Sequence, residues 1–395
     1  MAWPHLPGLI CAGLAGAGMA QTAAGYLAAR LFARAPAPAD NAARPPVSVL
    51  KPLHGGEPLL EHALETLFRQ DYPAFQLIFG VQRANDPAIT VVERLMARYP
   101  AVDATLVVDA RIHGVNRKIG NLINMLPAAR HDLLVISDSD MHAAPDYLAR
   151  VCAALASPGT GLVTTIYTGL PATPGIIAQL GAAYINQIFA AGALMARGLG
   201  RQDCMGATMA LTRATLARIG GLEALLPYVA DDGVLGRKVR ALGLRVGLAA
   251  TVPATTVGET RLADLLRHEL RWARTIRAMA PLGFTASVIQ YPVFWAALAV
   301  LCSAAAPWAM ALLAAAALLR SAAGRGIERA LAARTAPLWL APLRDLVSVA
   351  VMAAAFADDR VAWRGQVLST APDRALAQRD PHFISPPPAM AHGEG

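Results

Sequence analysis

The hydrophobic pattern of this chain changes character twice. No Asp, Glu, Lys or Arg precedes Arg30, and none lies between Arg277 and Arg320. A membrane-spanning helix needs roughly 20 apolar residues, so each window can hold one span and the second can hold two. Between them, from about Pro46, short apolar runs alternate with amphipathic segments. "VSVLKPL" (47–53), "QLIFGVQ" (76–82), "ATLVVDA" (104–110) and "DLLVIS" (132–137) read as strands. Residues 57–70, 87–97 and 117–127 read as helices between them. This alternation predicts an α/β domain with a mixed, mostly parallel sheet. Ligands of such sheets bind beyond the carboxyl ends of the strands, where Asp86, Asp138 and Asp140 fall.

Further along, 206–213 and 244–258 add strands, one of them antiparallel. Residues 229–243 predict a helix with acids in its first turn, where the helix dipole favours them. Residues 261–281 predict a basic amphipathic helix that leads into the second uncharged window, as a helix lying in a membrane interface would. Residues 151–196 are also uncharged. A single crossing there would put Asp138 and Asp232 on opposite sides of a bilayer, so the 175–196 helix is expected to be buried, or to dip in and return. The apolar stretch 335–357 contains Arg344 and Asp345. That pair fits either an internal ion pair in a further span or an interfacial helix. The Pro- and Ala-rich tail after about Ser369 is expected to be loosely ordered. The resulting division is an N-terminal anchor (1–42), a catalytic domain (43–260), an interface helix (261–282), C-terminal membrane helices (283–357) and a tail (358–395).

Composition sharpens the picture. Only 16% of the 395 residues are charged, against about 25% in soluble proteins. The net charge of +8 lacks the basic stripe interleaved with aromatics that nucleic-acid binding uses, and suits an anionic membrane surface better. Arg30, Arg34 and Arg44 follow the first apolar window, so the next domain is expected on the cytoplasmic side. The four cysteines form no CxxC pair, which argues against a zinc site or a disulfide framework.

The chemistry centres on "SDSD", 137–140. Two carboxylates one residue apart on a loop can share a Mg²⁺ or Mn²⁺ ion, completed by substrate phosphates and water. The same pattern also serves as a solvated turn or a helix cap. Its neighbours weigh in favour of the ion. "VSVLKPLHGGEP", "QDYP", "VQRANDPAI", "GVNRKIGNL", "SDSD", "VADD" and "HELRW" follow in order over about residues 45–280, with "LRD" and "WRG" (363–365) further on.

In that ordered series the chain resembles the membrane-anchored inverting glycosyltransferases of family 2, and within them the ceramide glucosyltransferase-like group. The resemblance implies a cytoplasmic GT-A domain with a Rossmann-like sheet, flanked by N- and C-terminal transmembrane helices. It implies a UDP-sugar donor, a divalent cation and a lipid acceptor. Asp86, Lys118 and Asp138 match donor-binding positions, and Asp140 matches the metal ligand on the diphosphate. Asp232 matches the catalytic base, with Asp231 beside it. Arg271 and Trp272 match the family's RW motif near diphosphate and acceptor. His268 stands where the family carries Gln or Arg, a departure at the first position of that motif. Bacterial members of this group resemble hopanoid-associated enzymes that place N-acetylglucosamine on bacteriohopanetetrol, with ceramide and UDP-glucose as the nearest alternative pair. The chemistry suits these residues: a single displacement at the anomeric carbon needs a base for the acceptor hydroxyl and charge stabilisation on the departing UDP. A processive polysaccharide synthase would need more spans, and a non-catalytic nucleotide-sugar binder would not need Asp232.

Overall fold

The computed structural model describes residues 6–36, 44–334, 336–363 and 366–379. Twelve strands and fifteen helices follow one another among them. The strands are β1 (Val47–Pro52), β2 (Phe75–Val81), β3 (Asp103–Val108), β4 (Leu133–Ser137), β5 (Met141–His142), β6 (Thr160–Thr164), β7 (Thr168–Pro171), β8 (Thr208–Thr212), β9 (Arg245–Leu248), β10 (Ala254–Val257), β11 (Arg360–Trp363) and β12 (Gln366–Ser369). The first helices are α1 (Leu6–Phe32), α2 (Leu60–Phe68), α3 (Ala88–Arg98), α4 (Arg117–Met125), α5 (Tyr147–Leu155), α6 (Ile176–Tyr184) and α7 (Ala190–Gly198). They are followed by α8 (Arg213–Arg218), α9 (Asp231–Ala241), α10 (Leu262–Met279), α11 (Pro281–Ala286), α12 (Pro292–Cys302), α13 (Pro307–Ala330), α14 (Leu340–Ala355) and α15 (Ala371–Arg379).

The main sheet has the order β3-β2-β1-β4-β8-β6-β9. Strands β1 to β4 run parallel, as the alternating pattern predicted, and β8 is antiparallel to both β4 and β6. β1 is buried along its whole length and β2 along nearly all of it, as strands covered on both faces must be. One apolar layer forms on the side of α2, α3 and α5, around Leu64, Phe68, Phe79 and Tyr147. The other forms on the side of α4 and α9, around Ile119, Leu122, Met209 and Val234. A second small sheet, β5-β10-β7, lies beyond the end of β4. Its strands are two to four residues long, too short to show a periodic pattern in the sequence.

Among the described residues, three helical stretches are long and apolar enough to cross a membrane: α1, Ile176–Gly198 and α13. Pro281–Gln290 and Pro292–Cys302, bent by 68°, would make a fourth if they form one span. α1 packs against α7, α12 and α13. At Gly18 it approaches so closely that an added Cβ would stand 2.4 Å from the carbonyl oxygen of Ile289. The 176–198 stretch is mostly buried. Asn186 accepts from Gly169 N–H (2.6 Å), and Gln187 donates to Glu328 (2.8 Å). Both polar side chains that sit badly in lipid therefore have protein partners.

Two expectations need correction. Arg344 and Asp345 do not pair with each other: Arg344 binds Glu269 of α10, and Asp345 binds Arg320 of α13. Consecutive helical residues point to different faces, so each reaches a different neighbour. The segment after Ser369 is not loose throughout, because Ala371–Arg379 is a helix in which Asp373 and Arg374 make polar contacts to the rest of the fold. Residues 380–395, and Arg364 and Gly365 of "WRG", lie outside the described residues.

Candidate active site

The site grows from the carboxyl ends of β1 and β4. β4 stops at Ser137, and the chain turns through Asp138, Ser139 and Asp140 before entering β5. Five hydrogen bonds fix the turn. Lys51, at the end of β1 and 1% exposed, donates its ammonium to Ser137 Oγ (3.1 Å) and to the Asp138 carbonyl. Ser139 Oγ donates to Glu57 (2.5 Å). Thr255 of β10 donates to the Asp140 carboxylate, and Thr256 N–H donates to the Asp140 carbonyl (3.1 Å). Lys51 was legible only as part of a strand. A lysine inside an otherwise apolar run was the signal, since buried ammonium groups need partners.

α4 brings up the second cation. Asn116 caps this helix by accepting from Ile119 N–H, which starts it beside the turn that precedes α9. Lys118, one residue into the helix, lies 2.6 Å from Asp138 Oδ1 and 3.7 Å from Asp231 Oδ2. Burial disfavours its charge, but Asp138 and Asp231 outweigh that and hold the ammonium above the usual lysine range. Asn116 also donates to Asp231 Oδ1 (3.3 Å) and to the Tyr228 carbonyl (2.9 Å).

Asp232 faces the cavity from the first turn of α9. Burial, and next the Asp231 charge, push its carboxyl up to about 6. Gly206 leaves room for it, since a Cβ there would sit 3.0 Å from Asp232 Oδ2. Burial and the neighbouring Asp138 also raise the Asp140 carboxyl, while burial lowers the Lys51 ammonium to about 8.

These groups line one cavity of about 780 Å³, large enough for a nucleotide sugar and part of an acceptor. Lys118, Asp138, Asp140, Asp231, Asp232, His268, Arg271 and Trp272 all line it. Asp86 does not. It is buried, and its carboxylate accepts from Gly55 N–H (2.9 and 3.1 Å) and Ala88 N–H (3.0 Å). It thus clamps the loop that carries Glu57. On α10, His268 hydrogen-bonds Glu259 (2.5 Å) and its ring lies 4.3 Å from that of Trp272. His268 thus packs against Trp272 and itself lines the cavity. The same cavity is also lined by Tyr167, Tyr184, Ile185 and Phe189.

Among the described residues, no three His, Cys, Asp or Glu side chains converge as a ligand set for a metal ion. The hard oxygen donors at the turn are Asp138 and Asp140, and Asp138 Oδ1 is already engaged by Lys118. Asp140 fits an ion held by one or two carboxylates and completed by phosphate oxygens and water.

A Rossmann-like sheet with an antiparallel strand, and acids beyond its parallel ends, defines the GT-A class. Residues 12–376 match the family model described as glycosyl transferase family 21, and the chain belongs to that family. The family number differs from the expected family 2, whereas the ceramide glucosyltransferase likeness holds. Ceramide glucosyltransferase 1 of Caenorhabditis elegans is 25% identical over 237 residues, covering 60% of this chain and 51% of that one. A ceramide glucosyltransferase of Komagataella phaffii is 36% identical over 113 residues, covering 28% and 22%. The chain thus spans about half or less of the length of these relatives. Among solved structures, the mannosyltransferase PcManGT of Pyrobaculum calidifontis, in complex with GDP-Man and Mn²⁺, matches with a TM-score of 0.52 and 22% identity. The match covers 89% of this chain and 99% of that one, and it shows a shared fold.

Proposed function

We propose that this protein is an inverting glycosyltransferase that moves a sugar from a UDP-sugar to a hydroxyl of a membrane lipid. The observation that carries this is the mixed lining of one cavity. A half-buried carboxylate with a raised pKa, Asp232, shares it with a lysine–aspartate cluster suited to a diphosphate and with Tyr184, Ile185 and Phe189 of the candidate span Ile176–Gly198. Asp232 takes the proton from the acceptor hydroxyl. The oxygen attacks the anomeric carbon, the bond to the diphosphate breaks on the opposite face, and configuration inverts. Lys118 and Arg271 balance charge on the departing UDP, and Asp138 orients Lys118. Asp86 supports the donor side through the Glu57 loop. Trp272, steadied by His268, packs against the acceptor or sugar. Asp140 would hold a Mg²⁺ or Mn²⁺ ion, which when bound neutralises diphosphate charge.

The donor–acceptor pair we propose is UDP-N-acetylglucosamine and a hopanoid such as bacteriohopanetetrol. The enzyme would sit in the plasma membrane of a bacterium with the catalytic domain facing the cytoplasm. The likeness to ceramide glucosyltransferases favours a second pair, ceramide and UDP-glucose. Purified protein incubated with several UDP-sugars and total lipid extract, followed by mass spectrometry, separates the two. An N-acetylhexosamine increment on a hopanoid supports the first, and a hexose increment on ceramide supports the second. Polymer in place of a single-sugar lipid, or no new glycolipid at all, contradicts both.

A further inference from the structure

The helix that carries Asp231 and Asp232 starts without a cap of its own. Residue Ala230, at its N-cap position, has no side-chain acceptor to offer. The residues leading into the helix are held from a distant part of the chain instead. Asp373 of α15, fully buried, accepts from Ala230 N–H (2.8 Å) with one carboxylate oxygen and from Val229 N–H (3.3 Å) with the other.

The segment that presents Asp373 is itself tied to α10. Arg277 of α10 reaches the Asp359 carboxylate and the Asp358 carbonyl (3.1 Å), and Arg274 reaches the Arg360 carbonyl (2.6 Å). Arg374, next to Asp373, binds Asp359 as well (2.7 Å). Thr370 closes the loop by donating twice to the Asp359 carbonyl (2.9 and 3.1 Å). One strap therefore joins the helix bearing the base to the helix bearing Arg271 and Trp272. Val229 and Ala230 both line the cavity beside the two acids.

We propose that Asp373 is a positioning residue for the transfer reaction. It touches no substrate. By fixing the Val229–Ala230 turn it sets where the Asp232 carboxylate stands relative to the acceptor hydroxyl. Small displacements of a base are costly, since reacting groups must approach within hydrogen-bonding distance in the correct orientation. A buried carboxylate held by two backbone N–H groups is suited to that task, because neither partner can rotate away.

The inference rests on Asp232 being the base, and the test separates the two. Full-length protein in detergent is compared as wild type, Asp373→Ala, Asp373→Asn and Asp232→Asn. The number of functional sites is counted by equilibrium dialysis with labelled UDP, and turnover is expressed per UDP-binding site. General destabilisation removes sites without changing turnover per site, so this readout isolates positioning. Asp373→Ala is expected to lose about tenfold in turnover per site, with the donor KM unchanged. Asp373→Asn, which keeps one oxygen acceptor, is expected to fall between it and wild type. If Asp373→Ala binds no UDP, Asp373→Asn decides: a reduced turnover per site supports the proposal. Wild-type turnover per site in the variants that bind UDP overturns it. Retained turnover in Asp232→Asn would instead overturn the assignment of the base.

Discussion

Arg344 of α14 holds Glu269 of α10 through two parallel hydrogen bonds of 2.7 and 2.6 Å, and neither side chain is more than 3% exposed. The arginine also stacks over Tyr184, 5.1 Å from its ring centroid. Glu269 lies between His268 and Arg271 in the HELRW motif, so an apolar helix near the carboxyl end fixes the helix that faces the cavity. Arg344→Leu leaves the Glu269 carboxylate buried and unpaired, which costs about 3–5 kcal/mol. Thermal melting in detergent should show the loss, together with falling activity. Reversing the pair, with Glu269→Arg and Arg344→Glu together, should recover part of both.

The raised Asp232 carboxyl gives two pH effects. As a base it works ionised, so transfer should rise with pH through about 6 and level off above that. For stability the sign is opposite. The folded-state value of about 6 exceeds the ordinary 3.8, so the folded protein binds this proton more tightly. Its contribution favours the fold below about 4 and is lost as pH climbs to about 6. Melting temperatures of wild type and Asp232→Asn should therefore diverge across that window, with the variant relatively more stable at pH 7. A constant difference from pH 4 to 7 would contradict the assignment.

Lys51 holds the turn from which Asp138 and Asp140 project, by its bonds to Ser137 and the Asp138 carbonyl. Hydrogen bonds involving charged groups contribute about 1.5–3 kcal/mol, so Lys51→Met should weaken UDP binding by about tenfold to a hundredfold. Calorimetric titration with UDP checks this. Unchanged affinity in the folded variant would remove Lys51 from the donor site.

Asp140 is the residue expected to tie UDP binding to a divalent cation. Chelation of metal should weaken UDP binding by the wild type, and added Mn²⁺ should restore it. In Asp140→Asn, titration of UDP with and without Mn²⁺ should give similar affinities. A full Mn²⁺ response in that variant would place the ion elsewhere.

Much of the central sheet was legible because β1, β2 and β4 are buried runs separated by amphipathic helices, a pattern that period and turn residues reveal. The acids after β4 and in the first turn of α9 were legible as residues at the ends of elements. What escaped was decided by distant partners. Nothing near Arg344 or Asp345 in the sequence points to Glu269 or Arg320. Asp373 sits in a polar, Ala-rich segment with no apolar stripe in its sequence, and its partners are backbone N–H groups more than 140 residues away. Asp86 was visible as a strand-end acid, but its use against Gly55 N–H depends on a loop conformation that spacing does not encode.

The central claim is that Asp232 performs the proton transfer while the Asp138–Asp140 turn and Lys118 hold the donor. Its most direct test measures two quantities on purified Asp232→Asn: labelled sugar transferred from the UDP-sugar to lipid, and affinity for UDP. Transfer is expected to fall by about a hundredfold or more, the range of base catalysis, with UDP affinity close to wild type. Transfer at the wild-type rate, or loss of UDP binding in step with transfer, would contradict it.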